Sequence, residues 1–215
     1  MKIHKQLWRA YAYSFLAYCG ITQLWVIYLS QLGLSLVQIG LCESIFHVAS
    51  FLFEVPSGVL ADRFTYKRML TLSRIAALIS AAMMLWQGGF WWFACSFVVS
   101  AWAYNLQSGT LEALVYESLK ADGQEAAYPH ATSVMNAVIE VSATGGVLLA
   151  GLLVHGHLAW SYDVAVGLAV LAMLVVSQLD EPATHQALDA HTTIKTIITT
   201  AWQVLNHDRN LFALM

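Results

Sequence analysis

Long apolar stretches alternate along this chain with short polar breaks, and the stretches come in pairs. An apolar run of roughly 20 residues is enough to cross a bilayer as a helix. The pattern predicts six such helices, near 7–30, 37–61, 69–87, 90–118, 130–154 and 159–179. Lipid offers no partner to a backbone N–H or C=O, so each span must satisfy its own backbone as a helix. Gly33 with Ser35, and Gly88 with Gly89, mark the turns inside the first two pairs. Pro129 opens the fifth stretch, where its missing N–H costs nothing. Residues 1–180 therefore read as an all-α, six-span transmembrane bundle.

The pattern changes after the sixth stretch. Asp180-Glu181-Pro182 closes it, and residues 181–208 read as a polar linker. Within the linker, Ile194, Ile197, Ile198, Ala201, Trp202 and Leu205 recur at helical spacing, with Lys195, Thr199 and Gln203 opposite. That predicts an amphipathic helix over 194–206, lying on the membrane interface. Residues 209–215 read as the onset of a seventh span, so the chain is expected to be a fragment or a natural truncation.

Composition and charge orient this picture. Hydrophobic residues make up 59% and charged residues 11%, against about 25% charged in soluble domains. The ten Lys and Arg residues stand at 2, 5 and 9, at 63, 67, 68 and 74, at 120, and at 195 and 209. The opposite hairpin tips, near 31–36, 87–90 and 155–160, carry none. Basic residues resist translocation, so the bias places the N-terminus in the cytoplasm. Trp86, Trp91, Trp92 and Trp160 fall at the outer span ends, where indoles favour the interface. The basic groups lie beside spans, where anionic lipid is the partner, and form no face for nucleic acid. Cys19, Cys42 and Cys95 lie inside apolar stretches and read as small core residues. Tyr18 is too bulky for a lipoprotein cleavage box at Leu16-Ala17-Tyr18-Cys19, and the first apolar run is too long for a signal peptide.

Ionisable groups within a span are costly and are candidate functional residues by default. Glu140 stands near mid-depth of the fifth stretch, with Asn136 and Thr144 one turn away on the same face. This stripe is a candidate for substrate or proton binding. Glu43, His47, Ser50 and Glu54 share one face of the second stretch. A Glu43–His47 pair can relay a proton or can simply join helices. Asn105, Ser108 and Glu112 share a face in the fourth stretch, with Arg74 or Lys120 as expected partners of Glu112. Gln23 is a further cavity-lining candidate in the first stretch. His155 and His157 are too few for a metal site, and none is expected.

The loop after the second stretch is the most specific local signal: Gly58-Val59-Leu60-Ala61-Asp62-Arg63-Phe64-Thr65-Tyr66-Lys67-Arg68. It resembles the signature loop of the major facilitator superfamily, and it stands in the slot where that family carries it. Glu54-Val55-Pro56-Ser57 and the run Ser108–Leu119 are similar to bacterial efflux-type members. The resemblance spans essentially the whole chain and implies the N-terminal six-span half of a secondary transporter. It further implies that Gly58, Asp62, Arg63, Lys67 and Arg68 form a latch that stabilises one access state by contacts to the other half. The substrate would be a small organic molecule bound near the midplane between halves, exported with protons as the driving ion. The implied partners are lipid, a missing C-terminal half or a second copy, and the substrate, with no cofactor.

Three positions depart from the family pattern. Thr65 and Tyr66 stand where a Gly and a basic residue are usual, and the β-branched Thr65 is expected to strain the turn. Asn105 occupies the slot of an Arg common in proton-coupled members. Gly145, Gly146 and Gly151 lack the Gly-Pro pattern of many antiporters. A membrane enzyme is disfavoured, because the chain has no His-Glu-x-x-His, Gly-x-Ser-x-Gly or phosphate-cradling loop. The alternative from another class is a truncated or scaffold membrane protein without transport of its own.

Overall fold

The computed structural model describes residues 2–86 and 88–182, excepting the side chains of Lys2 and Asp62. The expected amphipathic helix at 194–206 and the onset of a span at 209–215 lie outside the described residues. The described elements are all helical: α1 (Lys2–Ala17), a 3-10 turn (Gly20–Thr22), α2 (Trp25–Gln31), α3 (Leu36–Arg63), α4 (Tyr66–Leu85), α5 (Phe90–Gln107), α6 (Thr110–Ala121), a second 3-10 turn (Glu125–Ala127), α7 (Tyr128–Leu152) and α8 (Ala159–Gln178).

Local chemistry sets the boundaries. Gly33, at φ +90°, turns the chain out of α2, a conformation that favours glycine. Ser35 and Gln38 then form a reciprocal capping box at the start of α3, each satisfying a backbone N–H that the helix leaves free. Pro129 sits in the first turn of α7. Thr65 is not strained. It holds extended backbone (φ −64°, ψ 151°) and caps α4 by accepting from the Arg68 N–H at 3.4 Å. The expectation of strain is thus corrected: Thr65 replaces a glycine turn by an ordinary N-cap.

Two expected spans are broken. The first, 7–30, divides into α1 and α2 around Tyr18–Leu24, and the fourth, 90–118, divides into α5 and α6 at Ser108-Gly109. Stretches Ile3–Gln31, Leu36–Ala61, Tyr66–Leu85, Glu125–Leu152 and Ala159–Gln178 are long and apolar enough to cross a membrane. α5, which α6 follows after the break, packs against α3 and α4.

α4 packs against α5 and α8, α3 packs against α5, and α1 packs against α7 and α8. The core has two apolar ends. One gathers Tyr13, Leu70, Leu111, Leu114, Met135 and Val176. The other gathers Tyr28, Met84, Phe93, Leu158 and Tyr162. Between them runs a band of buried polar side chains. Ser80 and Ser96 exchange hydrogen bonds with each other's carbonyls at 3.0 and 3.1 Å, and Ser73 donates to the Ala103 carbonyl at 2.7 Å. Such small polar residues tie helices together where lipid provides no hydrophobic drive. The outer surface is apolar: Phe51 is 76% exposed and Leu152 79%. An apolar exterior of this kind suits lipid or another bundle rather than water.

Candidate functional site

The break in the first span is the centre of the site. The Tyr18 N–H makes the last regular bond of α1, to the Ser14 carbonyl at 3.0 Å. Carbonyls beyond it are taken by side chains from other helices. Ser142 of α7 donates to the Phe15 carbonyl at 2.5 Å, and Arg74 of α4 donates to the Ala17 carbonyl at 3.3 Å. Gly20 and Gly146 let the broken segment and α7 meet backbone to backbone. A Cβ on Gly146 would lie 2.5 Å from the Gly20 nitrogen, and one on Gly20 would lie 2.3 Å from the Ala143 oxygen. Only glycine fits both places.

This segment is the common wall of two openings. The first is a cavity of about 510 Å³ between α1, α2, α3, α4, α5 and α8, lined by Gln23, Glu43, Arg74 and Gln107 among aromatic neighbours. The second is a depression of about 500 Å³ on the α7 side, lined by Tyr18, Gln23, Glu140 and Thr144. Gln23 and Tyr18 border both. Of the residues expected from sequence, the structure therefore gathers Gln23, Glu43 and Glu140 around the unwound segment. His47 joins them indirectly, with its Nε2 3.2 Å from a Glu43 carboxylate oxygen. Asn136 is exposed one turn before Glu140 and does not line the depression.

The other candidates play different parts. Asn105 donates to the Ser50 carbonyl at 2.7 Å and accepts from the Ser50 hydroxyl at 3.1 Å. Its amide is thus used in both directions to pin α5 to α3, beside a separate opening of about 430 Å³ that Glu54 also lines. Glu112 pairs with neither expected partner: Lys120 lies 3.9 Å from Glu117 instead, and one Glu112 oxygen is buried with no hydrogen-bond partner.

The sequence groups Arg74 with the basic residues of the loop, while the structure places it buried within α4. It stands eight residues into α4, roughly 12 Å from the helix start at 1.5 Å per residue, and is 7% exposed. Its guanidinium donates to the Ser73 hydroxyl at 3.0 Å and to the Gln107 side-chain oxygen, and lies 5.7 Å from the centre of the Tyr13 ring. Tyr13 donates to the same Gln107 oxygen at 2.9 Å. Its spacing from Arg68 carried the signal: five residues, Met69 to Ser73, separate it from the basic loop. Gln107 and Tyr13 carried none, because their partners come from distant helices.

The loop between α3 and α4 lies at the end of the bundle that holds Ile3 and Leu179. α3 and α4 are joined through Phe64 and Thr65 alone. The Glu181 carboxylate accepts from the backbone N–H of Tyr66 at 2.8 Å and of Lys67 at 3.1 Å, filling the free donors at the start of α4. The Lys67 ammonium donates to the Ser177 carbonyl at 3.0 Å. Arg9 and Asp180 pair at 3.3 Å, and Gln6 exchanges bonds with the Asp180 backbone at 2.7 and 2.9 Å. Sequence reasoning missed this Glu181 clamp. Gly58 is exposed, with nothing within 4 Å of a Cβ there. The Asp62 side chain lies outside the described part, while Arg63 and Arg68 are exposed at the same end.

A profile of the Major Facilitator Superfamily matches residues 9–215. Among curated proteins, an uncharacterized MFS-type transporter of Bacillus subtilis (strain 168), YxaM, is 35% identical over 75 residues, 33% of this chain and 19% of the relative. The inner membrane protein YqcE of Escherichia coli (strain K12) is 28% identical over 87 residues, 37% of this chain and 20% of the relative. The match thus spans about a fifth of each of these relatives. The multi-span helical bundle and the profile across nearly its whole length agree: this chain belongs to the Major Facilitator Superfamily.

Proposed function

We propose that the chain is the N-terminal six-span part of a secondary active transporter that exports small organic molecules with a proton gradient. Its setting is a bacterial inner membrane, with the N-terminus in the cytoplasm and a second bundle, or a second copy, completing the cavity. One observation carries this reading. An unwound segment with its freed carbonyls held by Arg74 and Ser142 separates two openings, and Glu43 and Glu140 face it from different helices. Discontinuous spans of this kind line the ion and substrate paths of transporters. Glu140 is exposed on the open side and is the proton-carrying candidate, with Gln23 and Thr144 as polar neighbours in the depression; Asn136, one turn earlier and exposed, is a further binding candidate. Glu43 with His47 is the second candidate pair. Gly58, Asp62, Arg63, Lys67 and Arg68 act as the latch toward the other bundle, with Lys67 braced by Glu181 and Ser177.

The test is proton-gradient-dependent efflux of a fluorescent dye from cells expressing the complete reading frame. Glu140→Gln at normal expression is expected to reduce efflux by about tenfold or more, equivalent to about 1.4 kcal/mol or more on the transport barrier. Efflux equal to the parent would remove Glu140 from the mechanism. No gradient-dependent efflux of any dye would leave a scaffold without transport as the better reading.

A further inference from the structure

The cavity on the α4 side holds a buried guanidinium, Arg74, that makes no direct ion pair, and this bears on what the cavity can take. The Arg74 guanidinium is bonded only to neutral oxygens, those of Ala17, Ser73 and Gln107. Its Nε is buried with no hydrogen-bond partner. Arg74 has no described carboxylate within 4 Å; Glu112, with one buried and unbonded carboxylate oxygen, is the acidic group that shares Tyr13 and Tyr18 as neighbours with it. Glu43, the one carboxylate among the residues lining this cavity, lies 3.2 Å from the His47 Nε2. A guanidinium in a low-dielectric interior without a directly bonded counter-charge is expensive. An anion that reaches it gains a charge-assisted hydrogen bond in return, stronger than the bonds to neutral oxygens.

The remaining walls describe the rest of the ligand. Trp25 and Phe97 meet edge to face with ring centres 5.2 Å apart, and Phe46 and Tyr162 stand on the same cavity. At about 510 Å³ the cavity is of a size that holds a small organic molecule. We infer that this cavity binds an organic monoanion, an aromatic or similarly apolar acid. Its carboxylate or sulfonate sits on Arg74, and its apolar body lies against Trp25, Phe46 and Phe97. Gln107 is a positioning residue: it accepts from both Arg74 and Tyr13 and so fixes the guanidinium at the wall. This assignment rests on the transporter reading and names the substrate class for the same site.

The test measures binding to the purified protein in lipid nanodiscs, read by Trp fluorescence and by shift in melting temperature. The probes are benzoate, benzenesulfonate and the uncharged benzamide. The two anions are expected to bind at least about tenfold more tightly than benzamide, the factor that one charged hydrogen-bonded contact supplies. Arg74→Gln removes the charge but also removes the brace on Ala17, so the decisive variant is Gln107→Glu. It retains an acceptor for Arg74 and Tyr13 while placing a carboxylate beside the guanidinium. It should melt no lower than the parent and lose the anion preference. Equal binding of benzamide and the anions overturns the anion assignment but leaves a small-molecule cavity standing. Binding of none of the three overturns the anion assignment and the cavity reading together. Undiminished anion preference in Gln107→Glu places the anion elsewhere than on Arg74.

Discussion

The two broken spans differ in what breaks them. At Tyr18–Leu24 the helix is opened by its neighbours: Ser142 and Arg74 hold the carbonyls of Phe15 and Ala17, and Gly146 admits the Gly20 backbone. At Ser108-Gly109 the break is local. Gly109 sits at φ +73° and is exposed, with nothing near a Cβ. The flanking groups there are satisfied within their own span, with the Ser108 N–H on Tyr104 and the Ala113 N–H on Gly109, both at 3.0 Å. A break held from several helices keeps backbone polar groups at fixed positions beside a cavity, which is what a binding site requires. A break made by one left-handed glycine only redirects the chain. The first reads as a site and the second as a bend.

The sharpest way to test this contrast is to add one methyl group. Gly146→Ala would put a Cβ 2.5 Å from the Gly20 nitrogen, and backbone has no easy way to yield. The expected loss is about 1–3 kcal/mol, the usual cost of overpacking, read by denaturant-induced unfolding in mixed micelles. The neighbouring Gly145 has nothing within 4 Å of a Cβ. Gly145→Ala should therefore be neutral or stabilise by up to about 1 kcal/mol through helix propensity. If the two variants unfold alike, the seam between α7 and the unwound segment is not tight, and the first break loses its special status.

Gly109→Ala is the matching change at the second break. No atom obstructs the new methyl, so only the left-handed backbone resists it. That costs roughly 1–2 kcal/mol, and the same unfolding assay reads it. Probe binding in the α4-side cavity should stay at the parent level, because Gly109 lies outside its wall. A change in binding would show that the bend and the site are coupled, against the contrast drawn here.

The same contrast explains what could be read from the chain. Ser35 with Gln38, Pro129 and the polar Thr65 carry helix starts in their own chemistry, and those boundaries follow from a few adjacent residues. Gly109 was visible too, but one glycine within a long apolar run does not announce a left-handed turn. The first break had no local sign: Tyr18-Cys19-Gly20 reads as ordinary span, and its geometry comes from Arg74, Ser142 and Gly146 far along the sequence. Glu43, Gln23 and Glu140 could be chosen because polar groups in apolar runs are conspicuous. Asn105 was equally conspicuous, yet its amide is consumed in a structural clasp with Ser50, a distinction that only the partner atom reveals. Arg74 was grouped with the basic residues of the loop because a count by loop ignores depth along the helix.

The smallest expected effect isolates a single hydrogen bond. Ser142 and Ser14 are both buried serines that donate to a backbone carbonyl, at 2.5 and 3.0 Å. Ser142 crosses to Phe15 in another helix, at the edge of the break. Ser14 bonds back to Ala10 within its own helix, where that carbonyl already lies inside regular α1. Ser142→Ala should leave the Phe15 carbonyl without this donor and cost roughly 0.6–1.7 kcal/mol, the range for such bonds between membrane helices. Ser14→Ala removes a bond that competes with the helix's own ladder, so its unfolding midpoint should stay at or slightly above the parent's. If Ser14→Ala costs as much as Ser142→Ala, buried serines matter here only as packing. If Ser142→Ala alone is destabilised, the break in the first span is held by donors supplied from other helices.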